Sequence, residues 1–325
     1  MRISLQIVAV LACLSVGTGS LAQTSSPPLS QAESISWLQR IAMSARQLNY
    51  AGTFIYQQGD VVENSRIAHL VEGGNETERL ETLDGPRREI VRKNDVIFII
   101  NPESKQIRVE RRRPGRFFPQ ILPDQLSVVT DHYHVRKGEV ERVAEHEAQA
   151  LILEPKDGMR YGHKFWVDTN SGLLLKAKLL GDRNVVMEQF SFTQVQIGGN
   201  IPREWLKPSV TPPAIPEKAR DEPPSAESAW EIRVPPAGFR KVVETRRYRD
   251  QGNTVAVIHM VWTDGLAAIS VFIEPGRSAN APGLMQKGPL HIYTRSVGEN
   301  RVTVVGEAPA ATVQLIADSL AQKTK

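Results

Sequence analysis

From Tyr50 to Ile197 the chain alternates short runs rich in β-branched and aromatic residues with turn residues, a punctuation that suits antiparallel sheet and little else. The runs are Thr53 to Gln57, Arg66 to Val71, Arg79 to Leu83, Arg88 to Lys93, Asp95 to Ile100 and Gln106 to Glu110. Gly59-Asp60, Gly73-Gly74-Asn75, Asp84-Gly85 and Asn101-Pro102 break them. After a less regular segment come Gln149 to Glu154, His163 to Asp168, Leu173 to Leu180, Val185 to Phe190 and Thr193 to Ile197, with Asn170-Ser171-Gly172 as a further hairpin turn.

One helix precedes the strands. Ser30 and Glu33 have the spacing of a capping box, in which each side chain satisfies a backbone N–H of the other residue. Ile35, Leu38, Ile41, Ala42, Ala45 and Leu48 then recur at three- and four-residue intervals, so the helix has one apolar stripe to bury. The predicted fold is mainly β with α: an N-terminal open, curved antiparallel half-barrel wrapped around the helix, and a smaller α+β C-terminal domain. A half-barrel has a concave face. Phe54, Tyr56, Ile97, Ile99 and Phe165, with Val167, either fill it as core or line a pocket for acyl chains.

Residues 206–225 are dense in proline and almost free of large apolar side chains, and they read as an extended linker between a domain at 23–205 and a second at 226–325. In the second, strands are predicted at Trp230 to Val234, Lys241 to Tyr248, Val255 to Trp262, Leu266 to Glu274, Ile292 to Ser296 and Arg301 to Val305. Thr263-Asp264-Gly265 marks a surface hairpin turn, because Asp-Gly tolerates φ > 0. Pro309 opens a final helix from Ala310 to Gln322, whose Val313, Ile316, Ala317 and Leu320 share a face that can cover the sheet.

Arg2, the apolar run Ile3 to Val16, and Ser20-Leu21-Ala22 have the layout of a signal peptide over residues 1–22, cut before Gln23. Export is therefore expected. Val10-Leu11-Ala12-Cys13 offers the alternative of a lipidated cysteine. With cleavage after Ala22 the single cysteine is lost, and thiol and disulfide chemistry go with it. The 40 Lys+Arg against 36 Asp+Glu make a mildly basic chain, unsuited to nucleic acid but compatible with anionic lipid or an acidic protein segment.

Arg111, Arg112, Arg113 and Arg116, at a Pro114-Gly115 loop tip and followed by Phe117 and Phe118, are candidates for lipid phosphate and acyl contact. A solvated loop paired with nearby glutamates is the alternative. In the second domain Arg247, Arg249, Trp262, Phe272 and Arg277 are candidate partner contacts, Arg277 because it lies in a Gly- and Pro-rich loop. His132 and His134, two apart on a strand, would share a face and His146 could add a third nitrogen, but alternation and a nearby acidic residue are not a ligand set with defined supporting groups, so no metal or cofactor is expected. No Gly-x-Ser-x-Gly, His-Glu-x-x-His or phosphate-cradling glycine motif occurs, and a binding protein is favoured over an enzyme.

The segment WTDGLAAISVFIEP, RVTVVGEAP with its terminal helix, and Tyr50-Ala-Gly-Thr-Phe-Ile-Tyr56 with Arg66-Ile-Ala-His69 resemble the MucB/RseB family of periplasmic sigma-factor regulators. The resemblance spans nearly the whole mature chain. It implies a first domain like that of bacterial lipoprotein carriers and a second that binds the periplasmic domain of an inner-membrane anti-sigma factor (MucA/RseA-like). It also implies protection of that partner from proteolysis, with release by lipopolysaccharide or another acylated lipid. A periplasmic lipid or lipoprotein carrier is the alternative function, and the sequence leaves the oligomeric state, homo-oligomer included, open.

Overall fold

In the computed structural model the described residues are 26–111, 118–213, 228–248, 256–276 and 281–323; the expected signal peptide and most of the expected linker lie outside them. α1 (Gln31–Gln47) starts on the capping box: Glu33 N donates to Ser30 Oγ at 3.3 Å and Ser30 N to Glu33 Oε2 at 3.0 Å. Leu38, Ile41 and Ala45 are buried from the stripe, and Ser44 joins them.

Eleven strands follow: β1 (Tyr50–Gln58), β2 (Val61–Glu72), β3 (Asn75–Thr82), β4 (Glu89–Lys93), β5 (Val96–Asn101), β6 (Gln106–Arg111), then, after α2 (Ser127–His132), β7 (Tyr133–Val143), β8 (His146–Pro155), β9 (Gly162–Asp168), β10 (Leu174–Leu180) and β11 (Val186–Ile197). Their order is β6-β5-β4-β3-β2-β1-β11-β10-β9-β8-β7. Two antiparallel meanders are thus joined through the β1–β11 pair, and β6 and β7 are the edges of the sheet, the outer side of β7 paired only through a bridge from Pro28 to Arg136 among the described residues, which is the open half-barrel. At that seam the strands approach closely, since a Cβ on Gly52 would come 2.3 Å from the Gln194 carbonyl oxygen. α1 clamps the β9–β10 turn: Arg40 Nη2 donates to the Thr169 and Asn170 carbonyls at 2.5 and 2.9 Å, and Ser44 Oγ to that of Ser171 at 2.6 Å.

Two differences from the expected strands have local causes. β7 fills the segment that reads as irregular; it is an edge strand, charged at most exposed positions, with Gly138 and Glu139 bulged opposite Ala150. β11 is one strand where two runs were expected, because Thr193 is an extra residue in the pairing that puts Gln194 against Thr53 and Phe192 against Phe54.

Leu206–Val210 are not free linker: the Ser209 N–H donates to Glu89 Oε2 at 2.9 Å, and Val210 packs with Val91, Phe98 and Ile100 on the outer face of the sheet. The second body contains β12 (Trp230–Ile232), β13 (Arg240–Tyr248), β14 (Ala256–Thr263), β15 (Ala268–Pro275), β16 (Gly283–Lys287), β17 (Leu290–Val297), β18 (Asn300–Gly306), α3 (Ala310–Ser319) and β19 (Leu320–Gln322). Its six-stranded sheet runs β13-β14-β15-β18-β17-β16, and α3 packs Val313, Ile316 and Ala317 onto Val271, Val302 and Val304. The final helix ends earlier than its periodicity suggests. Leu320 turns extended and the last residues pair with β12, whose backbone groups would otherwise lack partners.

Candidate functional site

The inner face of the half-barrel is lined by a cavity of about 300 Å³. Strand alternation puts Phe54 and Tyr56 of β1, Ile67 of β2, Leu80 of β3, Ile90 of β4, Ile97 of β5, Phe165 of β9, Ala177 and Leu179 of β10 and Phe190 of β11 on its wall. Phe118 reaches in and stacks on Phe190 at 5.5 Å between ring centroids and an 8° interplanar angle; Phe54 lies 5.2 Å from Phe118, and Tyr56 lies 4.8 Å from Phe190. The wall is apolar and aromatic, as an acyl chain requires.

Charged groups sit at defined places around it. Tyr56 Oη donates to Glu188 Oε2 at 3.2 Å; burial and then the Glu188 carboxylate raise the phenol well above its ordinary pKa, so it stays a neutral donor. On the cavity wall Arg92 pairs with Glu78 at 2.9 Å and with Glu76, outside the lining, at 2.5 Å. Glu76 also accepts from Gln120 Nε2 at 2.9 Å and meets His69 Nε2 at 2.8 Å, while the His69 ring stacks on Tyr50 at 4.7 Å. Burial works against the Glu76 charge, yet the bonds from His69 and Arg92 hold its carboxyl well below the usual range. Exposed Arg88 lines the cavity and makes no ion pair among the described residues. The charged lining is mixed, with Glu63, Glu78, Glu188 and Glu307 as well as Arg88, Arg92 and Lys178, around an apolar lumen.

Two cavity residues, Leu266 and Glu307, belong to the second body. Asp264 explains how Leu266 reaches it. The β14–β15 hairpin has a four-residue connection, Asp264 to Ala267, closed by the Thr263–Ala268 pair, and Asp264 Oδ1 accepts from the backbone of Leu266 at 2.9 Å and Ala267 at 2.5 Å. The tip expected at the surface is instead buried between the domains: Asp264 is 0% exposed, and its Oδ2 accepts from Arg160 Nη1 at 2.9 Å and Tyr133 Oη at 3.5 Å. Arg160 also donates Nε and Nη2 to Asp157 at 2.9 and 3.0 Å, and Nη2 to the Ala237 carbonyl at 2.5 Å. Thr312, in the first turn of α3, donates to the Met159 carbonyl at 2.8 Å. The two domains are joined through a hydrogen-bonded charge network rather than by contact alone.

The predicted residues divide clearly. Phe54, Tyr56, Ile97, Phe165 and Phe118 converge on the cavity; Ile99 lies beyond it, beside a shallow surface depression with Arg87 and Arg108. Arg111 ends β6, whereas Arg112, Arg113, Arg116 and Phe117 lie outside the described residues. Arg247 lies on β13, and Arg249 and Arg277 are outside the described residues. Trp262 and Phe272 are on opposite faces of their sheet: Trp262 packs toward the α3 core, and Phe272 stacks on His259 at 4.4 Å on the other side. Val243, Val261 and Val305 share that second face by register. His132, at the end of α2, lies against Gly238 of the second domain, His134 is exposed, and His146 meets Asp168 at 3.3 Å. No three His, Cys, Asp or Glu groups are placed to hold a metal among the described residues. Phe190, Leu179 and Leu80 were legible as inward positions of expected strands; Leu266 and Glu307 carried no such signal.

The profile of the MucB/RseB N-terminal domain matches residues 33–210, and that of the MucB/RseB C-terminal domain matches 224–321. The sigma factor AlgU regulatory protein MucB of Pseudomonas aeruginosa is 32% identical over 302 residues, covering 90% of this chain and 92% of its own. The solved complex of Pseudomonas aeruginosa MucA/MucB superposes with a TM-score of 0.73 at 29% identity, covering 90% of this chain and 100% of that one. A crystal structure of MucB gives 0.60 at 27% identity, covering 91% of this chain and 100% of that one. With both halves matched in order and a relative aligned over nearly its full length, the chain belongs to the MucB/RseB family.

Proposed function

We propose that this chain is a periplasmic negative regulator of sigma-factor signalling. It binds the periplasmic domain of an inner-membrane anti-sigma factor, shields it from proteolysis, and releases it when lipopolysaccharide or a related acylated lipid enters the half-barrel cavity. The observation that carries this reading is the shared wall: Leu266 and Glu307 bring the second domain into a cavity otherwise built by the first. A ligand that fills the lumen acts on the contact between the domains. Lipid lowers partner affinity only if it binds the free arrangement better than the complexed one, and a coupling of about 1–3 kcal/mol changes affinity about 5- to 150-fold.

The partner surface in this reading is the sheet face of the second domain that carries Phe272, His259, Val243, Val261 and Val305, opposite α3. It is half-buried and mixed apolar-polar, as interfaces that form and dissolve are. The test is equilibrium binding of the mature chain to the periplasmic domain of a MucA-like partner, with and without lipopolysaccharide. Tight binding that lipid weakens supports the regulator. Lipid binding without any protein binding refutes it and assigns a lipid carrier instead.

A further inference from the structure

On the sheet face turned away from the cavity, three lysines gather over one indole. Alternation sends His163 and Phe165 of β9 and Ala177 and Leu179 of β10 inward, so Lys164, Trp166, Lys176 and Lys178 are on the outer side. Lys176 pairs in register with Trp166, and Lys178 with Lys164. The three Nζ atoms lie 4.5 Å (Lys164), 4.7 Å (Lys176) and 5.5 Å (Lys178) from the centroid of the Trp166 ring, and Trp166 is only 2% exposed beneath them.

Three cations share one ring quadrupole and one carboxylate. Glu141 takes Lys164 Nζ at 3.1 Å, and its carboxyl, which burial would raise, is held below its ordinary pKa chiefly by Lys164. Lys176 and Lys178 make no ion pair or hydrogen bond among the described residues. Burial, then repulsion from Lys178, lowers the pKa of Lys176. Two like charges held two residues apart and partly desolvated, beside a third lysine and with a single carboxylate, Glu141, already paired to Lys164, form an arrangement that a bound anion relieves. Across the β10–β11 pairing, Gln189 stands beside Lys178 and Ser191 beside Lys176, adding a carboxamide and a hydroxyl on the same side.

We propose that Lys176 and Lys178, with Lys164 over Trp166 and with Gln189 and Ser191 alongside, form a binding site for a phosphate group on the outer face of the half-barrel. A phosphate is compact and multiply charged, so one group can be reached by both ammoniums, which act on it as point charges. The ammoniums gather over Trp166 on the face opposite the cavity, although Lys178 also contributes to the cavity wall, and the site does not depend on the regulatory reading. The phosphate can come from a lipid headgroup or be free in solution.

The mature full-length chain is titrated at low ionic strength with inorganic phosphate and pyrophosphate by calorimetry, and by flotation with phosphatidylglycerol and with phosphatidylcholine vesicles. Saturable binding that falls at least about tenfold in K176Q/K178Q, as loss of two charge-assisted bonds requires, and returns in K176R/K178R supports the site. Binding of the soluble anions identifies free phosphate; binding of phosphatidylglycerol vesicles alone identifies a headgroup. Unchanged affinity in K176Q/K178Q, no binding of any probe by the parent chain, or preference for a poly-glutamate peptide over every phosphate would overturn the proposal. The lysines are partly exposed, so an unchanged thermal midpoint in K176Q/K178Q separates lost binding from lost folding.

Discussion

Replacing Asp264 by alanine tests the interdomain network most directly. The carboxylate is fully buried and does two things at once: Oδ2 faces Arg160 and Tyr133 of the first domain, and Oδ1 holds the backbone of the turn that projects Leu266. Removing it leaves the Arg160 Nη1 donor unmatched in a buried site, although Asp157 still takes Nε and Nη2. Breaking one side of a buried pair costs about 3–5 kcal/mol because the remaining charge is desolvated without compensation. The retained Asp157 pulls this toward the lower end, and the two lost turn bonds, about 1 kcal/mol each, push it back. The expected loss is therefore about 3–5 kcal/mol, read as a lower urea midpoint with tryptophan fluorescence. Asp264→Asn keeps an acceptor for the turn and should lose less. Arg160→Met combined with Asp264→Leu should cost less than the sum of the two single changes, since no charge is then stranded. A loss below about 1 kcal/mol for Asp264→Ala would refute the account, because it would mean that the pair is solvated or dispensable.

Other expectations follow from the same geometry. Gly238→Ala should loosen domain docking, because Gly238 has φ +80° and a Cβ there would fall 2.1 Å from His132 Nε2; faster proteolysis between the domains, with each domain's core intact, is the readout. Glu76→Gln should flatten the acid limb of the stability profile. The folded pKa of Glu76 is depressed, so its contribution is complete above the ordinary carboxylate pKa of about 4.3 and is lost as pH falls toward the folded value. Urea midpoints between pH 7 and pH 2 that fall equally in both proteins would contradict this. Phe272→Ala should weaken binding of a MucA-like periplasmic domain at least about tenfold, as a truncated interface aromatic does, with little change in urea midpoint. A large loss of stability with unchanged affinity would return Phe272 to the scaffold.

The parts of the fold that were legible are those governed by neighbours in sequence. The capping box at Ser30 and Glu33 starts α1 where expected, and period-two alternation places Phe54, Tyr56, Ile97 and Phe165 on one wall. β7 was not legible, because an edge strand tolerates charge at alternate positions and a bulge breaks its period. The outer lysines of β9 and β10 read as ordinary solvent-facing residues of a half-buried sheet. Nothing local indicates that three of them meet over Trp166, since that depends on the register between two strands.

Asp264 marks where local reasoning stops. Its sequence context determines a turn, because an Asx side chain closes backbone N–H groups two and three residues on and Gly265 supplies φ +93°. It does not determine that the turn is buried. A carboxylate in a Thr-Asp-Gly tip is ordinarily best solvated in water, and only a guanidinium supplied from the other domain makes its burial affordable. The sequence by itself therefore determined strands, turns and the apolar faces of two domains, through short-range sterics and periodicity. Tertiary structure decided which faces meet, that Leu266 and Glu307 close a cavity of the other domain, and which charges remain without a partner, because those outcomes depend on residues that only folding brings together.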